Sequence, residues 1–331
     1  MAAHNSRKVI LLALGANFGI AVAKFVAFAF TASSAMLAEA IHSLADTGNQ
    51  ILLLLGMQRA AKPPDDRHEF GYKMESYFWS FVVAIMLFSM GGLFAIYEAY
   101  HKLGEIRAAQ AAGQSTTMEN PSIAIVVLVV SIALEGYSWW AATKEVNRLR
   151  GSQGLFSFIE ASKSTEIIVI WMEDTGALVG LVLALAGIGL VLLTGNPFWD
   201  VYSTFAIGAL LVVIAFFVAR ETKSLLIGET ATEESLAKIR ELAEATEGVQ
   251  RLMHMRSMQL GEDEFLVALK IQWQADLTVE VTAHRTNGLE ARIREAIPRA
   301  RYIFVEADIY DPNKASGASD APPPPDVVPD S

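Results

Sequence analysis

Six apolar runs dominate this 331-residue chain: Val9–Phe30, Ala35–Met57, Tyr77–Tyr100, Ser122–Ala142, Ile167–Leu193 and Val201–Ala219. Each is near the roughly 20 residues that a helix needs to cross the hydrocarbon core of a bilayer. Helices buried in soluble proteins seldom run so long without a charged face, so the runs point to membrane spans. The composition agrees: the chain is 53% hydrophobic, with a mean hydropathy of +0.35. Apolar residues in soluble domains average about 45–50% even with glycine counted. Val9–Phe30 follows a short segment, Met1–Lys8, and no small-residue cleavage site comes after it. It is expected as a retained first helix and not a signal peptide.

Lysine and arginine give the orientation. Arg7 and Lys8 precede the first run, and Arg59, Lys62, Arg67 and Lys73 lie between the second and third. Lys144, Arg148, Arg150 and Lys163 lie between the fourth and fifth, and Arg220 and Lys223 follow the sixth. The opposite side carries only Lys102 and Arg107. This asymmetry predicts six transmembrane helices with both termini cytoplasmic. No targeting extension is visible, so the expected location is a bacterial-type inner (plasma) membrane, with an organelle as the alternative. The formal net charge of −10 argues against a nucleic-acid partner, which would call for a basic face. The absence of cysteine removes disulfides, thiolate metal sites and cysteine nucleophiles.

The pattern changes near Thr232, which can cap a helix opening with Glu233 and Glu234 and burying Leu236, Ile239 and Leu242. "FLVALKIQW" alternates strictly, so Phe265, Val267, Leu269, Ile271 and Trp273 share one face of a strand. "RLMHMRSMQL" before it and "RYIFVEADI" later read as further strands, with a helix from about Val279 to Ile297 between. The order α-β-β-α-β predicts a C-terminal cytoplasmic α+β domain of helices on one small sheet. The expected division is a transmembrane domain over residues 1–228, the α+β domain over 229–311, and a disordered Pro-rich tail over 312–331.

Inside the second apolar run, "LAEAIHSLADTGNQIL" carries Glu39, His42, Ser43, Asp46, Asn49 and Gln50. On a helix these positions form a single polar stripe. Buried charges cost several kcal/mol when unpaired, so the stripe must face other helices or a water-filled cavity. His42 and Asp46 stand one turn apart, which lets an imidazole nitrogen and a carboxylate point at one cation. Zinc suits such ligation at about 2.0–2.2 Å. Candidate partners are the adjacent acids Glu173 and Asp174 of the fifth run and Glu135 of the fourth, with Glu39 a further candidate. Only Lys24 of the first run is at hand to neutralise them, and a missing cation accounts for the rest. An intramembrane metalloprotease would call for HExxH, but Ser43 follows His42 and no second histidine lies in any run.

"HSLAD" in the second run, "HEFGYKMESYFWSF" leading into the third, the acid-bearing fifth run and the α-β-β-α-β domain together resemble the cation diffusion facilitator family. "LEGYS", "MEDTGALVG", "GNPFWD" and "LLIGE" resemble its zinc transporter 9-like branch. The resemblance covers roughly Val9 to Asp311. It implies a homodimeric exchanger, not an enzyme, that needs no cofactor and moves divalent metal, most often zinc, out of the cytosol against protons. The soluble domain would form the dimer contact. It also implies that His42, Asp46 and Asp174 match transport-site ligands.

The chain departs from the family's pattern at Ile170, where many members carry a fourth ligand, and Glu173 or water is the expected substitute. Residues matching Asp65 and Tyr72 bind a further metal in some members, but tyrosine here replaces histidine. Asp66 and His68 could form only a weak site. His284 matches a metal-binding position whose partner is Val305 here, so His284 and His254 are expected to be ordinary surface or half-buried histidines. The expected mechanism is alternating access around His42 and Asp46, with His42, whose ordinary pKa is about 6.5, as proton carrier. An exporter of Mn²⁺, Fe²⁺, Co²⁺ or Ni²⁺ is the alternative within the family, and a non-transporting membrane metal sensor or scaffold the alternative outside it.

Overall fold

The computed structural model describes residues 2–113, 120–155, 158–159, 162 and 165–310. The expected tail over 312–331 lies outside the described residues. The chain divides into two compact units, Met1–Leu226 and Ile227–Ser331.

The first unit is helical: α1 (Ala2–Thr31), α2 (Ser34–Ala60), α3 (Glu75–Ala111), α4 (Pro121–Arg150), α5 (Thr165–Thr194) and α6 (Phe198–Ile227). Each follows one of the six apolar runs. Among the described residues, however, four helices rather than six are long and apolar enough to cross a membrane: those at Glu75–Ala111, Pro121–Arg150, Ile167–Thr194 and Phe198–Ile227. In α1 the described apolar stretch is the shorter Asn17–Thr31. In α2 the polar stripe itself dilutes the apolar character of a helix otherwise made of Leu, Ala and Ile.

Three local features shape this unit. Between α1 and α2 the chain reverses at Ala32, in the left-handed region at φ 48°, and Ser33 caps α2 by accepting from the Met36 amide. Asp200, at the start of α6, reaches the same point. It accepts from Ser33 Oγ at 2.6 Å and from the Ser34 amide at 2.9 Å, a buried anion at a helix N-terminus. The third feature is a π-helical segment, Leu87–Leu93, in the middle of α3. Such segments are rare and cluster at functional sites. Within it, a Cβ on Gly92 would meet Val212 Cγ2 of α6 at 2.6 Å, so only glycine lets these two backbones approach.

The second unit builds a three-stranded sheet in the order β1 (Val249–Gly261), β2 (Glu264–Trp273), β3 (Ala300–Ala307). β1 and β2 pair antiparallel through a tight hairpin, while β2 and β3 pair parallel. Parallel pairing needs a crossover, which α8 (Val279–Ala296) provides. With α7 (Glu233–Glu244) the order is the α-β-β-α-β expected. The alternating face of β2, Phe265 to Trp273, is buried against Ile239 and Ala243 of α7 and Leu289 and Ile293 of α8. Burial of each such side chain contributes about 1.5–3 kcal/mol. Thr232 occupies the cap position of α7, but its hydroxyl donates to Ser235 Oγ at 2.9 Å and no backbone amide is capped. His254 and His284 are both exposed, and Val305 packs on the core.

The loop between α2 and α3 is organised around Asp65. Its carboxylate accepts from the Arg67 and His68 amides at 3.0 and 2.7 Å and from the Tyr72 hydroxyl at 2.6 Å. His68 leans on the Tyr72 ring, with centroids 4.3 Å apart, and its Nδ1 lies 3.5 Å from Asp65 Oδ1. It is Asp65, and not Asp66, that meets His68. The Tyr72 hydroxyl, followed by the His68 amide, holds the Asp65 carboxyl below the usual carboxylate range.

Two outcomes are expected. Leu269→Ala, which empties a buried position on β2, should destabilise the sheet by about 2–5 kcal/mol, read as faster hydrogen exchange at β2 amides in the full chain. Tyr72→Phe should raise the Asp65 pKa toward its ordinary value of about 3.9, followed by NMR titration of the carboxyl carbon. Because the folded value is lowered, the Asp65 contacts are complete above the ordinary pKa and are lost as pH falls through the lowered one. An unmoved Asp65 titration in Tyr72→Phe would show that the hydroxyl is not its main partner.

Candidate metal site

The polar stripe of α2 is buried in the bundle. Glu39, His42, Ser43, Asp46 and Asn49 are all less than a tenth exposed, and the same is true of Lys24 on α1. Lys24 Nζ donates to Glu39 Oε2 at 3.2 Å and to Ser43 Oγ at 2.6 Å. Glu39 therefore answers to the ammonium of α1. Its second oxygen sits against α5, where a Cβ on Gly180 would lie 2.6 Å away. The candidate ligand Glu39 is thus drawn into an ion pair.

His42 and Asp46 stand one turn further along, with Nδ1 3.5 Å from Oδ1. Across from them, Glu173 of α5 accepts from Asn49 Nδ2 at 2.6 Å, and its carboxyl group also meets that of Asp46. The structure brings His42, Asp46 and Glu173 to one place. Both ring nitrogens of His42 and Oδ1 of Asp46 have no hydrogen-bond partner. Gly91, inside the π-helical segment of α3, faces the same imidazole: a Cβ there would lie 3.7 Å from His42 Nδ1.

Asp174 is placed differently. Adjacent residues on a helix point about 100° apart, so Glu173 and Asp174 cannot both face α2. Asp174 is half-buried and accepts from Ser138 Oγ of α4 at 2.9 Å. Ile170, one turn earlier on the same face, is exposed. Two indole bonds hold α4 and α5 in this register, Trp139 Nε1 to Thr175 Oγ1 and Trp171 Nε1 to Thr143 Oγ1, both 3.0 Å. Glu135 is buried on α4. Among the described residues, no three His, Asp or Glu side chains are arranged so that they could hold a metal ion as they stand. The groups are neighbours, and a coordination cage would require side chains or helices to shift.

Sequence reasoning marked Lys24 as a cation but not Ser43 as its second partner, which only the crossing of α1 and α2 reveals. It also did not single out Asp200, although an acid at the start of an apolar run was a visible signal. The ion pair generates a prediction. Lys24→Met leaves Glu39 buried without its counter-charge and should cost about 3–5 kcal/mol, whereas Lys24→Met with Glu39→Leu should recover most of that. Thermal unfolding of the purified protein in detergent checks both, and equal losses in the two variants would deny the pairing.

Residues 10–227 match the cation efflux transmembrane domain family, and residues 231–310 match the cation efflux protein cytoplasmic domain. The mouse protein "Proton-coupled zinc antiporter SLC30A9, mitochondrial" is 30% identical over 256 residues, covering 77% of this chain and 44% of its own length. This chain therefore spans under half the length of that relative. "Uncharacterized transporter sll1263" from Synechocystis is 24% identical over 328 residues, covering 98% of this chain and 97% of the relative. A nickel form of a MamM C-terminal domain variant aligns with 24% of this chain and 100% of that structure, at 24% identity and a TM-score of 0.23. The transmembrane match alone spans more than half the sequence, and the chain belongs to the cation efflux family.

Proposed function

We propose that this protein exchanges a divalent metal cation, zinc first among the candidates, for protons, and so exports metal from the cytosol by alternating access. The observation that carries the reading is the buried stripe of α2, in which Asp46, one turn from His42, meets Glu173 of α5 and acceptor atoms are left without partners. Polar groups inside a membrane domain are costly and mark ion pathways. The name of the mouse relative, a proton-coupled zinc antiporter, supports the choice of ion and of coupling. Mn²⁺, Fe²⁺, Co²⁺ and Ni²⁺ are the alternative substrates, since imidazole and carboxylate bind them all.

In this reading the chain makes six crossings of a plasma membrane with both termini cytoplasmic. α1 and α2 cross with Lys24 of the one paired to Glu39 and Ser43 of the other inside the bundle. Residues 1–228 carry transport, and residues 229–311 form the dimer contact and regulate. Metal binds His42, Asp46 and Glu173 when these groups are deprotonated, so proton and metal exclude one another. Asp174, about 100° round α5, is the acid that a rotation of this helix would exchange for Glu173. Water completes the coordination where protein ligands do not.

The test is metal flux into proteoliposomes under an imposed pH gradient, over a panel of divalent ions, with Asp46→Ala, Glu173→Ala and Asp174→Ala beside the unaltered protein. Gradient-driven flux is expected, at least tenfold lower in each variant. Flux that survives in Asp46→Ala would make the stripe a structural feature, and no flux in the unaltered protein would leave a metal sensor or scaffold.

A further inference from the structure

Asn49 shares a face of α2 with His42 and Asp46, and it is fully buried. Its two ends have different fates. Nδ2 donates to Glu173 Oε1 at 2.6 Å, while Oδ1 has no hydrogen-bond partner. The same is true of Asp46 Oδ1, of Gln50 Oε1 and of both ring nitrogens of His42. A buried polar atom left unpaired is destabilising, so a row of them along two turns of one helix needs a reason. The oxygens of Asp46, Asn49 and Gln50 offer lone pairs only. A cation is the ligand that satisfies acceptors without asking for any in return.

We propose that Asn49 is a specificity-determining ligand of the metal site. Its amide nitrogen holds Glu173 toward α2, and its amide oxygen faces the metal. The inference rests on the reading of His42, Asp46 and Glu173 as the transport site. Ile170 offers no donor and is turned outward, so α5 supplies one carboxylate where two ligands would be wanted. Asn49 fills the vacant place from α2. The donor set becomes one imidazole nitrogen, two carboxylates and one amide oxygen. Carboxylate and carbonyl oxygens suit harder ions such as Mn²⁺, while imidazole suits Zn²⁺, Fe²⁺ and Ni²⁺. The amide oxygen thus widens the range of ions accepted toward Mn²⁺.

Equilibrium binding of Zn²⁺, Mn²⁺ and Co²⁺ to the purified full chain in detergent tests this, by titration calorimetry and by the visible absorption of bound Co²⁺. Asn49→Ala should weaken Mn²⁺ binding about tenfold or more and Zn²⁺ binding less, so that the Zn²⁺ to Mn²⁺ ratio rises. The Co²⁺ bands should move, because the ligand set has changed. Asn49→Ser, which also lacks the amide, keeps the test available if the alanine variant does not fold. Loss of all three ions by one common factor, with Co²⁺ bands unmoved, would overturn the proposal and leave Asn49 a packing residue. If the unaltered protein binds none of the ions, the transport reading itself fails. If it binds them and Asp46→Ala does not, only the Asn49 comparison decides this inference.

Discussion

Everything in the helical unit depends on where the polar stripe of α2 can be put. A helix carrying Glu39, His42, Asp46 and Asn49 has no stable place against hydrocarbon, so its neighbours must enclose it. α1 supplies an ammonium, α5 supplies a carboxylate and a glycine surface, and α3 supplies the glycine of its π-helical segment. The apolar residues of α2 and its neighbours then pack as they would in any bundle. The Lys24–Glu39 pair is the fixed part of this arrangement, since both groups are fully buried and each answers the other. The His42, Asp46 and Glu173 region is the unfinished part, with buried acceptor atoms left over. The pair is not fully satisfied either, since Glu39 Oε1 has no hydrogen-bond partner.

Much of this was legible before any coordinates. Uninterrupted apolar length announced the helices, because few helices of soluble proteins run so long without a charged face. Strict alternation announced β2, whose five inward side chains are buried as the pattern required. What could not be read was rotation. Glu173 and Asp174 are neighbours in sequence with the same chemistry, and only the packing of α5 decides which of them turns toward α2. Trp139 and Trp171, reaching threonines across the α4–α5 contact, help to set that angle, and their effect on an acid elsewhere on the helix has no local signature. Thr232 shows the same limit on a smaller scale. Its position as a cap was evident, but the hydroxyl of Ser235 competed for it.

The two units follow different rules for their polar groups. In the sheet domain charges sit on the face opposite the buried one, where Lys270 of the central strand meets Glu306 and Asp308 in reach of water. Exposed pairs of this kind contribute little to stability, and the domain is held by its apolar face. In the helical unit Lys24, Glu39, Asp46 and Glu173 are interior, where no solvent is available to take over a lost partner. A single substitution on α2 therefore has consequences that the same change on the sheet would not.

The hydrogen bonds between Asp200 and the first residues of α2 give that helix a fulcrum. α2 is 27 residues long, about 40 Å at 1.5 Å per residue, and its first turn is held by this carboxylate and by Glu98, which accepts from Ser34 Oγ at 3.3 Å. A tilt of about 5° around the pin would carry the Ala60 end some 3.5 Å sideways, while Asp46, about 18 Å from the pin, would move by roughly 1.6 Å. Such a tilt would make the helix an unequal lever. The loop of Asp65 and Tyr72, beyond its long arm, would register a swing about two to three times as large as the one felt by Asp46 and His42.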